Sequence, residues 1–527
     1  MKLSKKIMIA SFIALISISA CHTLEEEPIG LLSPDGFFKT RTDVETGLNG
    51  AYSAIASEEI WGRKLTLALL LRGDMADIGD PTTTAARIQV DEFQMDATNG
   101  MILELWPKGF EALATVNYTI EGAENLENIE LEAKNALIAE GRFIRGFIYY
   151  HYVRLFGKIP YINFPFKDPA RAYTIEETSV EGIYDGIIAD FTYAKEWLPD
   201  MQAFRSRPSK GTAAAYLASV YLTLGENDPS NWQNAYDEAK YVIDNKGTFG
   251  YDLAEEYQNL FDATVIDDIN NAKELVFAID FRGLDESSLS GFGDYTRDYI
   301  PSVTGPRGDE RFANGEGWSV AVPALAVFEE WPHGDYRKDV AFDTVTIMGD
   351  TSTHYRYWGQ ASRGIARPHI AKYYRAFGNA SLNGRDSDHN YAAMRYAEVL
   401  LIAAEALNEI NNGPTSEAAD YINEVRIRAR RELDDDPSND RAIPANISLS
   451  DYNQDSFRNF VLEERRYELA FEFGRWYDIK RRQLGNVAFG PNGLEPNTNF
   501  DENRDYLFPK PQFDLNLNDN LEQNTGY

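Results

Sequence analysis

From Ala397 to Leu407 only Glu398 and Glu405 interrupt an apolar run, and those two acids stand seven residues apart on one helical face. A helix that is apolar almost all round has no face left for water and must be enclosed by other elements. Asn411-Asn412-Gly413-Pro414 then supplies stop and turn chemistry. Beyond it Ala418, Ile422, Val425 and Ala429 recur at helical spacing and form a one-sided apolar stripe. Small residues (Ala403, Ala404, Ala406, Ala418, Ala419) allow two helices to approach closely. The stretch Tyr391–Arg431 reads as an antiparallel helical hairpin of the tetratricopeptide type. An ordinary hairpin in any α-rich protein accounts for these residues alone equally well.

The rest of the chain carries the same signal on both sides of an interruption. Helical periodicity predicts helices over Asp43–Ser57, Met101–Leu126, Leu131–Phe156, Val180–Leu198, Thr212–Leu224, Trp232–Asn245 and Asp455–Arg482, with Gly, Pro or Asn turn signals between several of them. Arg72–Gly100 reads as a long polar loop, and such loops in a compact protein are usually functional or disordered. Between about Gly247 and His389 short β-prone pieces such as Leu275–Phe281 sit among Gly-rich, aromatic-rich loops. This region reads as an insertion into the helical pairs, and loops on a rigid scaffold are where binding residues tend to lie. The expected organisation is a signal segment 1–20, a tether 21–40, a helical scaffold 41–246 carrying the polar loop 72–100, a loop-rich region 247–389, and a second helical part 390–527 with an irregular tail from Pro509.

A net charge of −32 argues against nucleic acid and against docking on anionic lipid through a basic patch, both of which need clustered Lys and Arg. The chain has one cysteine, so no internal disulfide forms. Lys2, Lys5 and Lys6 precede an apolar run from Ile7 to Ile18 that is too short for an ordinary membrane span. It ends in Ile18-Ser19-Ala20-Cys21, which resembles a bacterial lipobox cut before a lipid-bearing Cys21. The alternative is an ordinary signal peptide with an incidental cysteine. Several acyl chains on one residue suffice for stable anchoring. Glu25, Glu26 and Glu27 resemble the surface-export signal of Bacteroidetes lipoproteins, or form a solvated tether.

Six motifs in order then resemble the SusD-like (RagB/SusD) outer-membrane nutrient-binding lipoproteins of Bacteroidetes. They are AEGRFIRGFIYYHYVRLFGKIP, NAKELVF from Asn271, RYAEVLLIAAEALNEI, AADYINEVRIRAR, LEERRYELAFEFGRWYDIKR and the terminal Gln523-Asn524-Thr525-Gly526-Tyr527. The resemblance implies a mainly α fold: tetratricopeptide-like helical pairs as a scaffold and an inserted loop-rich region with short strands. It implies a non-catalytic surface protein that holds a glycan, or in some members a peptide, and acts with a SusC-like TonB-dependent transporter. No cofactor follows from it.

A sugar offers C–H faces and hydroxyls, so its site needs flat aromatic platforms and a few fixed polar groups. Trp318 and Tyr295 are similar in context to the aromatic platforms of the starch-binding member. Arg72 resembles a polar contact of that member, Asp74 and Asp77 follow it, and Lys372-Tyr373-Tyr374 looks like another ligand-side stretch. The 72–100 loop has no Trp, so one platform of a starch-type arc is missing. Trp106, Trp197, Trp232 and Trp476 lie within predicted helices and are assigned to packing. No HExxH, Walker A, GxGxxG or GxSxG pattern occurs, and the six histidines are dispersed. A surface glycoside hydrolase stays open as an alternative, because its carboxylates are recognised by spacing in space. Asp434-Asp435-Asp436 with Asp440 lacks the ordered oxygens and turn glycine of a calcium loop and reads as a solvated acidic loop.

Overall fold

The computed structural model describes residues 34–266, 271–281, 298–310, 317–348, 351–358, 366–374, 389–432 and 440–527. Cys21 and the signal segment therefore lie outside the described residues. The main helices are α1 (Arg41–Ile55), α2 (Lys64–Leu71), α3 (Ala85–Asp91), α4 (Gly100–Glu124), α5 (Leu131–Phe156), α6 (Val180–Trp197), α7 (Lys210–Gly225), α8 (Asn231–Asp244), α9 (Tyr396–Ile410), α10 (Ser416–Arg428), α11 (Gln454–Glu468) and α12 (Arg475–Arg481); all but α2 and α3 fall where helical periodicity predicts them. Among the described residues no helix is long and apolar enough to cross a membrane.

Helices α4 to α8 stack in sequence order, each on the next. Then α8 packs on α9, which packs in turn on α10 and α11. The Tyr391–Arg431 hairpin thus continues an array that the loop-rich region interrupts. The enclosure demanded by the apolar run is met, since every residue from Ala397 to Leu407 except Glu398 is buried. The turn is as expected: α9 stops at Ile410, Asn412 takes a φ of 52°, and the Thr415 side chain caps α10 by accepting from the Ala418 amide. Trp106, Trp232 and Trp476 are buried, and Trp197 packs against the same core.

Three boundaries differ from the sequence reading. Tyr391–Arg395 is a strand, because its backbone groups pair with another segment before the helix begins. The 72–100 stretch holds a strand and α3 rather than a continuous loop. The final helix breaks after Glu468, where Phe471 and Phe473 take φ values of 63° and 68°, and restarts as α12. Each break rests on tertiary partners that periodicity does not report.

The short strands are β1 (Ala76–Ile78), β2 (Leu275–Ile279), β3 (Ala321–Pro323), β4 (Phe342–Asp343), β5 (Val345–Met348), β6 (Thr351–His354), β7 (His369–Ile370) and β8 (Tyr391–Arg395). They form two-stranded antiparallel ladders, β1–β3, β2–β8, β4–β7 and β5–β6. The β2–β8 ladder is the neck of the insertion: the chain leaves the helical array through β2 and returns through β8, with Leu275 opposite Arg395.

A buried charge network closes this neck. Arg395 pairs with Glu274, with Glu468 at 2.9 Å and with Glu472 at 2.6 Å. Arg428 pairs with Glu274 and Glu468, Arg337 with Asp335, Glu464 and Glu468, Arg426 with Glu464, and Lys372 with Glu472 at 2.7 Å. Five cations thus face five carboxylates drawn from both the insertion and the second helical part. Burial alone would raise the Glu468 carboxyl, but the guanidinium groups of Arg428, Arg395 and Arg337 override it and hold it down at about 2.

Glu468 therefore contributes stability that is complete above its ordinary value of 4.5 and is lost as pH falls toward about 2. Urea denaturation across that window is expected to show a falling midpoint. Removing one member of a buried pair strands the others, so Glu468→Ala is expected to cost about 3–5 kcal/mol in the same assay at pH 7.

Candidate functional site

Two regions that the sequence marked for binding are joined directly. In the β1–β3 ladder Asp77 stands opposite Val322 and Ile78 opposite Ala321. The ladder extends by one bond, from the Gly79 amide to the Val320 carbonyl at 2.8 Å. This approach requires glycine: a Cβ on Gly79 would meet the Ser319 carbonyl oxygen at 2.2 Å, and one on Gly317 would meet that of Pro306 at 2.1 Å. The 72–100 stretch and the loop before β3 therefore act as one surface.

On that surface Trp318 is half-buried, and its ring lies 5.8 Å from that of Tyr299. The Arg63 guanidinium lies over the Tyr299 ring at 4.6 Å. Arg307 donates to the Trp318 carbonyl at 2.8 Å and to Asp80 at 2.7 Å, which ties the Trp318 loop to the end of β1. The following residue, Ser319, takes a left-handed φ of 50°. It is held there because its amide donates to Gly305, while its hydroxyl accepts from the Arg307 amide and pairs with His369 Nε2 at 3.0 Å. Backbone held in a sparsely populated region by several bonds positions the side chain beside it.

The other expected contacts divide sharply. Arg72 has no exposed surface; it donates to the Val90 and Asp505 carbonyls, pairs with Asp505 at 3.1 Å and lies 4.3 Å from the Phe93 ring. Asp74 is buried in a two-bond pair with Arg475, both at 2.7 Å. Lys372 is buried on Tyr257 and Glu472, both at 2.7 Å, and burial lowers its pKa to about 8 despite Glu472. Tyr374 is fully buried and donates to Asp343 at 2.6 Å. All four side chains are spent on interior partners, unlike the exposed contacts that the sequence led us to expect. Tyr295 lies outside the described residues, as do Asp434, Asp435 and Asp436.

Asp77 alone of the acidic candidates faces a cleft. It pairs with Arg367 at 2.7 Å and, with Arg367, Glu495 and Asn497, lines an opening of about 430 Å³. Carboxylate oxygens of Asp77, Asp91 and Glu495 lie within 4.8 Å of one another. Burial, then the neighbouring carboxylates, push Asp91 and Glu495 above the usual carboxylate range. The sequence reading missed Tyr299, Arg307, Arg367, Asp91 and Glu495. None has a local motif, and Glu495 reaches the group from the far end of the chain.

Gly79→Ala is expected to open the β1–β3 ladder and destabilise the protein by about 1–3 kcal/mol, the usual cost of overpacking, read by urea denaturation.

The terminal helices and tail carry the remaining motifs together. Asn524 donates to the Phe156 carbonyl at 3.0 Å and to that of Phe508 at 2.7 Å, so the Gln-Asn-x-Gly-Tyr terminus docks on the end of α5 that the FG-x-x-P motif defines. A family model described as "SusD family" matches residues 314–527, and one described as "Starch-binding associating with outer membrane" matches residues 32–222. SusD-like protein P2 of Formosa agariphila is 49% identical over 526 residues, covering 99% of this chain and 100% of its own length. Starch-binding protein SusD of Bacteroides thetaiotaomicron is 23% identical over 461 residues, covering 78% of this chain and 76% of its own. A solved SusD homolog from Bacteroides thetaiotaomicron shares the fold with a TM-score of 0.78 at 22% identity, covering 94% of this chain and 98% of that one. A laminarin-binding SusD-like protein does so with a TM-score of 0.72 at 21% identity, covering 93% and 100%. With a relative 49% identical along its whole length and these motifs in order, the chain belongs to the SusD family.

Proposed function

We propose that this chain is a non-catalytic surface protein that captures an oligo- or polysaccharide and delivers it to a SusC-like TonB-dependent transporter, anchored to the outer membrane by lipid on Cys21. The observation that carries the reading is the Trp318–Tyr299 pair set among fixed polar groups. A half-buried ring offers a flat apolar face at little rotamer cost, and the partly exposed Arg307 stands beside it, already oriented by its pair with the buried Asp80. The family description, starch-binding and associating with the outer membrane, and the laminarin-binding neighbour support the same ligand class. The N-terminal lipobox and the acidic cluster after it support anchoring and surface exposure. In this reading 247–389 is the ligand region, 41–246 and 390–527 are the scaffold, and the helical side meets the transporter. Trp318, Asp77 and Tyr295 are the proposed ligand contacts; a peptide is the alternative ligand.

A glycoside hydrolase is the second reading, and the close Asp77, Asp91 and Glu495 oxygens are the observation in its favour. Affinity electrophoresis over a glycan panel, with the sugars analysed after incubation, decides between them. Retardation without shortened products is expected, and released oligosaccharides would reject the binding-only role. Trp318→Ala is expected to weaken binding about tenfold or more, or about 1.4 kcal/mol, with a melting-temperature change within about 2 °C. Unchanged affinity with a collapsed melting temperature would assign Trp318 to the core.

A further inference from the structure

We infer that Asp77, Asp91 and Glu495 form a binding site for a hard divalent cation such as Ca²⁺. The inference shares Asp77 with the glycan reading but does not rest on it. Three carboxylates meet here, and one cation, Arg367, pairs with Asp77 Oδ2. With all three carboxyls ionised, as a bound cation would hold them, Arg367 offsets one charge and leaves two for the ion to neutralise.

The second observation concerns hydrogen bonding. Asp91 is only 4% exposed, yet its Oδ1 has no hydrogen-bond partner, and neither has Glu495 Oε2. Buried carboxylate oxygens almost always accept from a donor, because leaving them dry and unpaired costs free energy. In a folded protein rich in donors, orphan oxygens on two acids of one cluster mark a place where something positive belongs.

The donors set the class of ion. All three are carboxylate oxygens, which suit a hard cation such as Ca²⁺. Oxygens bound to one Ca²⁺ at roughly 2.3–2.6 Å stand at most about 5 Å apart, and the three here lie within 4.8 Å of one another. Calcium takes about six to eight oxygens, and water in the cleft of about 430 Å³ beside Asp77 and Glu495 can complete the shell.

The site joins three segments distant in sequence: β1, the last residue of α3, and the segment carrying Glu495. Asn499 already fastens that segment to α3 by donating to the Glu92 carbonyl at 3.0 Å. A cation would convert mutual repulsion at the base of the β1–β3 surface into a cross-link, fixing the loops without touching the Trp318–Tyr299 pair.

The test is calorimetric titration of CaCl₂ into purified, chelator-treated protein at pH 7, with melting temperature read in parallel. One saturable site per chain and a raised melting temperature are expected. Glu495→Gln and Asp91→Asn are each expected to weaken binding about 100-fold or more. If Asp91→Asn does not fold, Glu495→Gln, whose side chain is only partly buried, reads the same site. No heat and no melting shift up to roughly 10 mM, beyond the weakest extracellular calcium modules, would overturn the inference. Undiminished binding by Glu495→Gln would overturn it equally, by placing the ion elsewhere.

Discussion

The fold depends on the neck formed by β2 and β8, and the neck depends on Arg395. One side chain meets Glu274 where the chain leaves the helical array, and Glu468 and Glu472 where the second helical part begins to turn. A long insertion into a stack of helices has to leave and return at one place, or the stack parts. The β2–β8 ladder supplies the backbone bonds, and the buried charges fix which side chains face each other across it. Ion pairs of this kind do not compete well with apolar packing in raw stability, since desolvation offsets most of the attraction. What they supply is exclusivity: any misregistered neck leaves a charge buried and unpaired.

The same device recurs around the loops proposed to bind ligand. Arg72 to Asp505 and Asp74 to Arg475 clamp the start of the 72–100 stretch against the C-terminal part, from opposite ends of the chain. Glu405, inside the apolar α9, accepts from Arg481 on α12 and from Arg482 just past its end, and Glu398 from Arg465 on α11. A strongly acidic chain thus uses many of its arginines internally. The net charge of −32 agrees with the proposed neutral rather than a nucleic-acid ligand. Where an arginine does reach the ligand side, as Arg307 does, it is held by Asp80 and by the Trp318 carbonyl.

Much of the scaffold was legible in the sequence because helix periodicity and capping are local. The apolar run of α9, the Asn-Asn-Gly-Pro stop and the Thr415 cap all follow from neighbours within a few residues. The site was legible only in part. Trp318 stands out because it follows Gly317 in a Gly-rich stretch, and the ring is half-buried rather than enclosed. Arg72, Asp74, Lys372 and Tyr374 share the polar and aromatic character of ligand contacts, but their partners are buried side chains up to several hundred residues away. Asp91 and Glu495 carry no pattern at all; only folding brings them beside Asp77. Composition identifies which groups can act, whereas burial decides which are free to do so.

The central claim is that ligand is held by the surface that β1–β3 creates, with the helical array as support. Hydrogen–deuterium exchange of the protein with and without a bound glycan tests this most directly. The account predicts added protection confined to residues around 77–83 and 298–320, with α5 to α8 unchanged. Protection centred on α5 to α8, with the Trp318 loop exchanging as before, would contradict it.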